Sequence, residues 1–234
     1  MTDDPTDDQP AQEQPSDPGI GVRDPEFESH EPGIAARDPS QTDPRRRVRA
    51  DSRRHHSLGE AERPVIESTV EYDNEWYTGG YDLVEQPDGA TKRYYWAELP
   101  TAVVIVARDD DQLVFVEQYR PTIRDTQLEL PAGIVEDGES FSAAGARELR
   151  EETGFVAETV TLLEDFWVCT GLLRHRRGIV FATDLTPTEQ ALGESEFLTP
   201  RTVPVEQAVD TVRGGQTNDA TLEGVLLAEQ EGLL

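Results

Sequence analysis

The stretch "GIVEDGESFSAAGARELREETGF", residues Gly133–Phe155, combines a helical pattern with a high density of acidic residues. Ser140 can cap the free amides of a first helical turn, and Gly154 suits a left-handed C-terminal cap. The sequence therefore predicts a helix that starts after Ser140 and stops at Gly154. Several glutamates would lie one turn apart on this helix, although each like-charged pair costs about 0.2–0.5 kcal/mol.

The spacing of these glutamates indicates a binding site for divalent cations. Glu148 and Glu152 are four residues apart, so their Cβ atoms would lie about 5–6 Å from each other, with Glu151 at the edge of the same face. Carboxylate oxygens placed in this way suit hard cations such as Mg²⁺ or Mn²⁺. Arg147 can hold Glu151 by an ion pair and leave the other carboxylates free, and Glu139 can fold back toward the cluster. The alternative is a solvated acidic helix.

The chain as a whole is strongly acidic. Its 234 residues include 48 Asp and Glu against 21 Lys and Arg, for a formal net charge of −27. This charge argues against binding to nucleic acid or to an anionic membrane surface, because both would repel the protein. Acidity of this degree also resembles that of halophilic proteins, in which concentrated salt screens the self-repulsion, and the alternative is an acidic mesophilic protein.

Cysteine content and hydropathy favour a cytoplasmic protein. Cys169 is the single cysteine, which excludes an intrachain disulfide and a thiolate metal cluster. The first residues lack the apolar core of a signal peptide. No apolar run approaches the ~20 residues that would span a bilayer. We therefore expect a soluble, cytoplasmic protein without a membrane partner.

The composition divides the chain into an acidic tail (residues 1–62) and a globular domain (residues 63–234). The tail is predicted to be disordered, because it holds too few large apolar groups to offset the entropy lost on ordering. It includes a basic island, Arg45–His56, that either contacts nucleic acid or another acidic partner, or is a solvated patch attracted to the acidic domain itself. The second interpretation is favoured, because no aromatic residues interleave for base stacking.

Strand patterns dominate the globular domain. An N-terminal β region (63–99) contains predicted strands at 81–86 and 93–99, with Asp88-Gly89 as the turn signal between them. Further strands are predicted at 101–107, 112–119, 127–133, 157–168 and 178–184, and further helices at 205–213 and 219–230. This order indicates an α+β fold in which helices cover a mixed sheet.

The opening stretch also carries a motif. It fits Gly-x5-Glu-x7-Arg-Glu-U-x-Glu-Glu-x-Gly-U at every specified position, where U is apolar. The matching residues are Gly133, Glu139, Arg147, Glu148, Leu149, Glu151, Glu152, Gly154 and Phe155. This motif is the Nudix box, and the protein resembles the Nudix hydrolases. The resemblance implies a Nudix-type α/β/α sandwich with a mixed β-sheet, and cleavage of nucleoside diphosphates linked to another group with Mg²⁺ or Mn²⁺.

Beyond the box, "VEQYRP" (116–121) and "LELPAGIVEDGES" (128–140) resemble the ADP-ribose pyrophosphatase branch of that family. The resemblance implies hydrolysis of ADP-ribose to AMP and ribose 5-phosphate. It also implies a homodimer formed through the N-terminal β-hairpin region at 65–98. Another nucleoside diphosphate sugar or a nucleoside triphosphate stays open as substrate, because Thr170 stands near the place where the branch usually has proline. A non-catalytic nucleotide-sensing module is disfavoured, because such proteins usually lose box glutamates.

The resemblance also implies roles for individual residues of the box region. The implied metal ligands are the backbone carbonyl of Ala132 and the carboxylates of Glu148, Glu151 and Glu152. Arg147 and Glu151 are the implied catalytic residues of the helix.

A downstream acidic loop, "ALGESEFLTP" (191–200), resembles the loop that supplies the general base in this branch. Glu194 is the candidate base and Glu196 is a candidate additional metal ligand. A shift of the alignment by two residues would exchange these roles. A mobile carboxylate of this kind would activate water only after the substrate arrives.

Three residues are candidate substrate contacts. The resemblance implies that Arg120 meets the diphosphate, and a planar guanidinium suits phosphate oxygens. Arg174, in a basic stretch, either grips a phosphate or pairs with nearby acids. Trp76, Tyr77 and Tyr81 either stack on the base, in one arrangement across a dimer interface, or pack in the core, and core packing is the favoured interpretation.

Overall fold

The structure is a computed structural model that describes residues 62–193 and 195–234. Apart from Glu62, the predicted disordered tail and its basic island lie outside these residues. The described elements are β1 (Val65–Asp73), β2 (Thr78–Glu85), β3 (Thr91–Glu98), β4 (Ala102–Asp109), β5 (Gln112–Arg120), β6 (Asp125–Glu129), β7 (Ala132–Ile134), α1 (Phe141–Thr153), β8 (Phe155–Trp167), β9 (Leu173–Arg174), β10 (Arg176–Pro187), β11 (Leu198–Pro204), α2 (Val205–Gly214) and α3 (Asp219–Gln230).

The strands form two sheets. The first contains four strands in the order β1-β2-β3-β9. The second contains seven strands, with β11-β5-β4-β10-β8 as its main path, β6 beside β5 and β7 beside β4. Strands β4 and β10 are parallel, whereas β10 and β8 are antiparallel. The large sheet is therefore mixed, as the sequence predicted.

Both faces of the large sheet are buried, because alternate residues of its central strands point to opposite helices. Val104, Val106 and Phe115 belong to a core cluster that also includes side chains of α2 and α3. Val103 and Ile105 belong to a second cluster with residues of α1. The continuous apolar runs of β4 and β5 reflect this two-sided burial. The result is the expected sandwich of helix, sheet and helix layers.

Local capping fixes the ends of α1. The Ser140 side chain accepts a hydrogen bond from the Ala143 amide, and Gly154 adopts a left-handed conformation with φ of 72°. The helix therefore has the predicted bounds. Ala144 and Leu149 are buried against the sheet, which holds the opposite face of α1 in one orientation.

The large sheet opens beside α1. Strands β4 and β5 pair only over residues 107–109 and 112–114. Beyond that point β7 pairs with β4, and β6 pairs with β5. The prediction of one strand over 127–133 is therefore wrong. Pro131 lacks an amide donor and lies where the chain changes partner from β5 to β4, so two short strands replace one.

The end of the predicted acidic loop is also an element that the sequence analysis did not predict. Residues 198–204 form β11, which pairs antiparallel with β5 at the end of the main strand order. Pro200 and Pro204 obscured this strand, because proline is tolerated mainly at sheet edges. Within the residues that the structure describes, no helix combines the length and the hydropathy that crossing a membrane requires.

Candidate active site

The acidic face of α1 meets β7 at the opening of the sheet. Glu148 and Glu152 are both buried. One carboxylate oxygen of Glu152 accepts a hydrogen bond of 3.0 Å from the backbone amide of Ala132. The Glu148 carboxylate lies against Gly133, where an added Cβ would be only 1.9 Å from Glu148 Cδ. The fold therefore brings the predicted residues Ala132, Glu148 and Glu152 together.

Burial makes this cluster electrostatically unfavourable in the absence of a cation. Burial raises the pKa of Glu152 to about 8, although the hydrogen bond from Ala132 opposes the increase. Burial also raises the pKa of Glu148, while Arg147 acts in the opposite direction. The negative charge of Glu196 contributes to both increases. Glu196 therefore acts electrostatically on both glutamates, and its role as an additional metal ligand stays a prediction.

The donor atoms of this cluster fit a hard divalent cation. They are carboxylate oxygens, which Mg²⁺ and Mn²⁺ prefer, and their buried charges call for a nearby positive charge. Among the described residues, no three acidic, histidine or cysteine side chains already converge as a ligand set. Glu148 directs one oxygen to Arg147 at 2.8 Å, and Glu152 directs one to the Ala132 amide. One oxygen of each carboxylate is therefore already engaged within the protein.

Arg147 connects the helix to the loop before it. Its guanidinium donates to both carboxylate oxygens of Glu139, at 3.1 and 3.0 Å, and to the carbonyl of Ile134 at 2.8 Å. The predicted pair with Glu151 is present at 3.3 Å, but the contact with Glu148 is shorter. The expectation that Arg147 leaves Glu148 free is therefore wrong, because the loop places Glu139 so that the guanidinium lies between it and Glu148. Arg147 also lowers the pKa of Glu139.

Arg120 reaches the cluster from β5. Its positive charge lowers the pKa of Glu152, opposing the effect of burial. Its Nε donates to both carboxylate oxygens of Glu129, at 3.1 and 3.0 Å. Glu129 is only 2% exposed, so it anchors one side of the guanidinium while the Arg120 side chain stays partly open to solvent. Glu129 was not among the residues predicted from the sequence. The signal that could have identified it is an acidic residue between two leucines, in the "LEL" of a predicted strand.

The acidic loop before β11 is tied to the end of α1. The amide of Ala191 donates to the carbonyl of Glu151, and the side chain of Gln190 donates to the carbonyl of Glu152. Glu196 accepts a hydrogen bond of 2.8 Å from the amide of Gly193. The loop therefore begins beside the cluster. Glu194, the candidate base, lies outside the described residues, and its role stays a prediction.

Arg174 lies in β9 and connects strands of the smaller sheet. It forms an ion pair of 2.5 Å with Asp82 of β2 and a longer one of 3.7 Å with Glu98 of β3. Its guanidinium also stacks on the Trp96 ring at 3.9 Å. Of the two interpretations of this arginine, the structure favours pairing with nearby acids. The neighbouring Arg176 pairs in the same way with Asp165.

The aromatic residues of the N-terminal strands differ in burial. Trp76 lies in the turn between β1 and β2 and is 73% exposed, so core packing is the wrong interpretation for this residue. Its amide and that of Tyr77 both donate to the Asn74 side chain at 2.8 Å, which fixes the turn. Tyr81 is buried, and for this residue core packing is confirmed.

Comparison with known proteins identifies the family. Residues 98–222, more than half of the chain, match the family model described as NUDIX domain. The chain belongs to the Nudix family. Its predicted membership is thereby confirmed, and the matched residues include the box helix with its buried glutamates.

Individual relatives agree with this assignment. Over 140 residues the chain is 31% identical to an ADP-ribose pyrophosphatase of Bacillus subtilis, covering 58% of this chain and 76% of the relative. Over 165 residues it is 30% identical to a protein of Streptomyces rubellomurinus named CMP-5'-(N-acetyl-N-hydroxy-3-aminopropyl)phosphonate hydrolase, covering 68% and 75%. A solved structure titled ADP compounds hydrolase shares the fold, with a TM-score of 0.67, 24% identity and coverage of 74% and 98%. These similarities confirm the predicted resemblance to the ADP-ribose pyrophosphatase branch.

Proposed function

We propose that this Nudix enzyme hydrolyses the pyrophosphate bond of a nucleoside diphosphate sugar and requires Mg²⁺ or Mn²⁺. ADP-ribose is the first-choice substrate, with AMP and ribose 5-phosphate as products. One observation carries the proposal: the box helix buries Glu148 and Glu152 against Ala132 and Gly133, beside the cationic Arg120. The name of the Bacillus subtilis relative supports the choice of substrate.

The proposed metal ligands are side-chain and backbone oxygens that surround the opening of the sheet. They are the carbonyl of Ala132 and the carboxylates of Glu148, Glu151, Glu152 and Glu196. The chemistry that bound ions would supply is neutralisation of the diphosphate, a lower pKa for the attacking water and stabilisation of the leaving oxygen. Mg²⁺ and Mn²⁺ both accept this oxygen-rich set of donors, so the proposal includes both.

The chain's own residues position the reactants. Arg120 donates to the diphosphate with the edge of its guanidinium that Glu129 does not use, and the buried Glu129 fixes its orientation. Arg147 orients Glu148 through its contacts with Glu139 and the Ile134 carbonyl. Arg147 therefore contributes to the reaction by holding the acidic side chains in place.

The base in this proposal comes from the loop before β11. Glu194 removes a proton from the attacking water as the water oxygen bonds to one phosphorus, and the bridging oxygen leaves with the other phosphate. Glu196 serves as the additional ligand. The attachment of this loop to the last turn of α1 through Ala191 and Gln190 supports the role, because it keeps the loop close to the metal ligands.

The substrate specificity of the site is the least constrained part of the proposal. Thr170 replaces the proline that the ADP-ribose branch usually has, and the Streptomyces relative is named for a CMP-linked compound. Another nucleoside diphosphate sugar, or a nucleoside triphosphate, is therefore the alternative substrate. Trp76 is proposed to stack on the base. Arg174 is the weaker candidate for a substrate contact, because its guanidinium already pairs with Asp82 and Glu98.

A substrate panel tests the proposed reaction. ADP-ribose, other nucleoside diphosphate sugars and nucleoside triphosphates are incubated with the full chain and Mg²⁺ or Mn²⁺, at low and at molar salt. We expect the highest kcat/KM with ADP-ribose, production of AMP and ribose 5-phosphate, and loss of turnover in EDTA. We also expect higher activity in salt, because salt screens the repulsion within an acidic chain. Faster cleavage of another compound would replace the first-choice substrate, and absence of hydrolysis throughout the panel would contradict the function.

A homodimer is the proposed assembly. Exposed apolar side chains are concentrated on the N-terminal strands and their turn. These side chains are Val65, Ile66, Val70, Tyr72, Trp76, Tyr77, Tyr94 and Tyr95. Exposed apolar surface of this kind is typical of interaction sites. A second copy of this chain would cover them and place Trp76 at the interface. The cytoplasmic location stays a prediction.

Replacement of Val70 by glutamate tests the dimer. We expect the wild-type chain to sediment as a dimer and Val70→Glu to sediment as a monomer, because the new charge would be buried in the interface. Leu226→Glu is the matched control, since Leu226 is comparably exposed but lies on α3. A monomeric wild-type chain, or equal dissociation of both variants, would contradict this interface. Sedimentation velocity at several protein concentrations provides the measurement.

A further inference from the structure

The backbone between β6 and β7 carries a proposed metal ligand, and three separate elements hold it in place. The amide of Leu130 donates to the hydroxyl oxygen of Thr221 in α3 at 2.9 Å. The carbonyl of Pro131 accepts from the amide of Ile105 in β4 at 2.9 Å. The amide of Ala132 donates to Glu152 in α1. Each of these three consecutive residues therefore has its own anchor as the chain crosses from β5 to β4.

The anchor at Leu130 belongs to a longer contact along the open edge of β6. Strand β6 pairs with β5 on one side only. On its other side, the amide of Leu128 donates to the carbonyl of Gln216 at 3.1 Å, and the Thr217 hydroxyl donates to the carbonyl of Leu128 at 2.7 Å. Together with the Thr221 contact, these bonds take the place of a neighbouring strand. The segment between α2 and α3 thus satisfies backbone groups that would otherwise be buried without partners.

The position of Thr221 is itself well defined. Its backbone amide donates to the side chain of Asn218, the N-terminal cap of α3, at 2.8 Å. Thr221 is 1% exposed and Leu130 is 2% exposed, so water does not compete for this hydrogen bond. Pro131 has a fixed φ, which limits how far the chain can rotate between Leu130 and Ala132. A displacement at Leu130 is therefore transmitted to Ala132.

We propose that Thr221 and Thr217 are positioning residues for the metal-binding carbonyl of Ala132. Through Leu130 and Leu128 they hold the crossing segment in register with Glu148 and Glu152. This inference rests on the proposed function, because it takes the Ala132 carbonyl as a metal ligand. It gives the C-terminal segment a part in the site although none of its residues touches metal or substrate.

The test compares variants that keep or remove the Thr221 acceptor. Thr221→Val preserves the shape of the side chain and loses the hydroxyl, whereas Thr221→Ser keeps the hydroxyl. The dissociation constant for Mn²⁺ is measured on the full chain without substrate, by the electron paramagnetic resonance of free Mn²⁺. Thr221→Val should bind Mn²⁺ about ten-fold more weakly, the size of effect typical for groups that orient metal ligands. Thr221→Ser should stay within about two-fold of the wild type.

A stability control separates positioning from general loosening. Ala228 is buried in the same helix and contacts neither β6 nor β7 through a hydrogen bond, and Ala228→Gly weakens the helix backbone. We expect it to lower the melting temperature without changing the Mn²⁺ affinity. An equal loss of affinity in Ala228→Gly and Thr221→Val would show that only stability matters and would overturn the inference.

The remaining outcomes are also decisive. If the wild type binds Mn²⁺ and Thr221→Val binds it equally well, the inference is wrong and the proposed function stands. If the wild type binds no Mn²⁺, the proposed function is contradicted and this inference with it. If Thr221→Val does not fold, Thr217→Val is measured in its place. It should weaken Mn²⁺ binding by about three-fold, less than loss of a direct orienting contact, and unchanged affinity would overturn the inference.

Discussion

Replacement of Glu152 by glutamine is expected to lower kcat for ADP-ribose by about 10³-fold while the protein stays folded. Loss of a carboxylate ligand removes several kcal/mol of transition-state stabilisation, and each 1.36 kcal/mol corresponds to a factor of ten. Glutamine has the shape of glutamate, and its carbonyl oxygen can still accept the hydrogen bond from the Ala132 amide. Because burial raises the pKa of Glu152 to about 8, its carboxyl is mostly neutral near pH 7 without metal, so the neutral glutamine should not lower the free energy of unfolding.

Steady-state kinetics with Mg²⁺ and thermal unfolding without metal provide the measurements for Glu152→Gln. Glu158→Gln is the matched control, because Glu158 is an exposed residue of β8 just beyond the same helix. The control should retain the activity and the melting temperature of the wild type. Turnover within about ten-fold of the wild type in Glu152→Gln, a loss of only 1.36 kcal/mol, would contradict the assignment of Glu152 as a metal ligand.

The second large effect is expected for Gly133→Ala. A Cβ at this position would lie 1.9–2.3 Å from the carboxylate atoms of Glu148, so the carboxylate would have to leave its place. Glu148 is buried between β7 and Arg147, which leaves few alternative positions. We expect Mn²⁺ affinity to fall by about 10–100-fold, as for other disruptions of metal-ligand orientation. kcat/KM should fall with it.

The same added methyl group at Gly171 provides the control for this substitution. Apart from residue 171 and its two chain neighbours, no atom of the described residues lies within 4 Å of the place where a Cβ of residue 171 would be, so Gly171→Ala should bind Mn²⁺ as the wild type does. Circular dichroism of both variants checks that they fold. A Gly133→Ala protein with wild-type Mn²⁺ affinity would show that Glu148 does not hold the metal from its present position.

Local sequence signals were sufficient to predict the central helix and its acidic face. Capping by Ser140 and Gly154 depends on residues within one turn of each helix end, and the spacing of Glu148 and Glu152 fixes their common face. The buried strands β4 and β5 could also be predicted from the sequence, because continuous apolar runs identify strands covered on both sides. The spacing of the glutamates indicated only a site for divalent cations. The match to the Nudix box added the prediction that this site hydrolyses nucleoside diphosphates.

Contacts between distant residues could not be predicted from these local patterns. Arg174 pairs with Asp82, 92 positions away, and Thr221 accepts from Leu130, 91 positions away. Strands β6 and β7 are separate because β4 and β5 diverge beyond residues 107 and 114. The sequence of residues 127–133 carries no information about that divergence. Arg147 has several acidic neighbours in sequence, and the path of the preceding loop determines how it contacts Glu139 and Glu148. The tertiary structure therefore determines ion pairs that local sequence patterns do not distinguish.

Anomalous diffraction from a crystal of the full chain, soaked with Mn²⁺ and a non-hydrolysable ADP-ribose analogue, tests whether the glutamates of α1 hold the metal. We expect a manganese peak about 2.0–2.2 Å from carboxylate oxygens of Glu148 and Glu152, close to the Mg²⁺–oxygen distance. The diphosphate should lie between the metal and Arg120. Manganese bound elsewhere, or a diphosphate that leaves both glutamates in contact only with Arg147 and the Ala132 amide, would show that these glutamates are not the metal ligands.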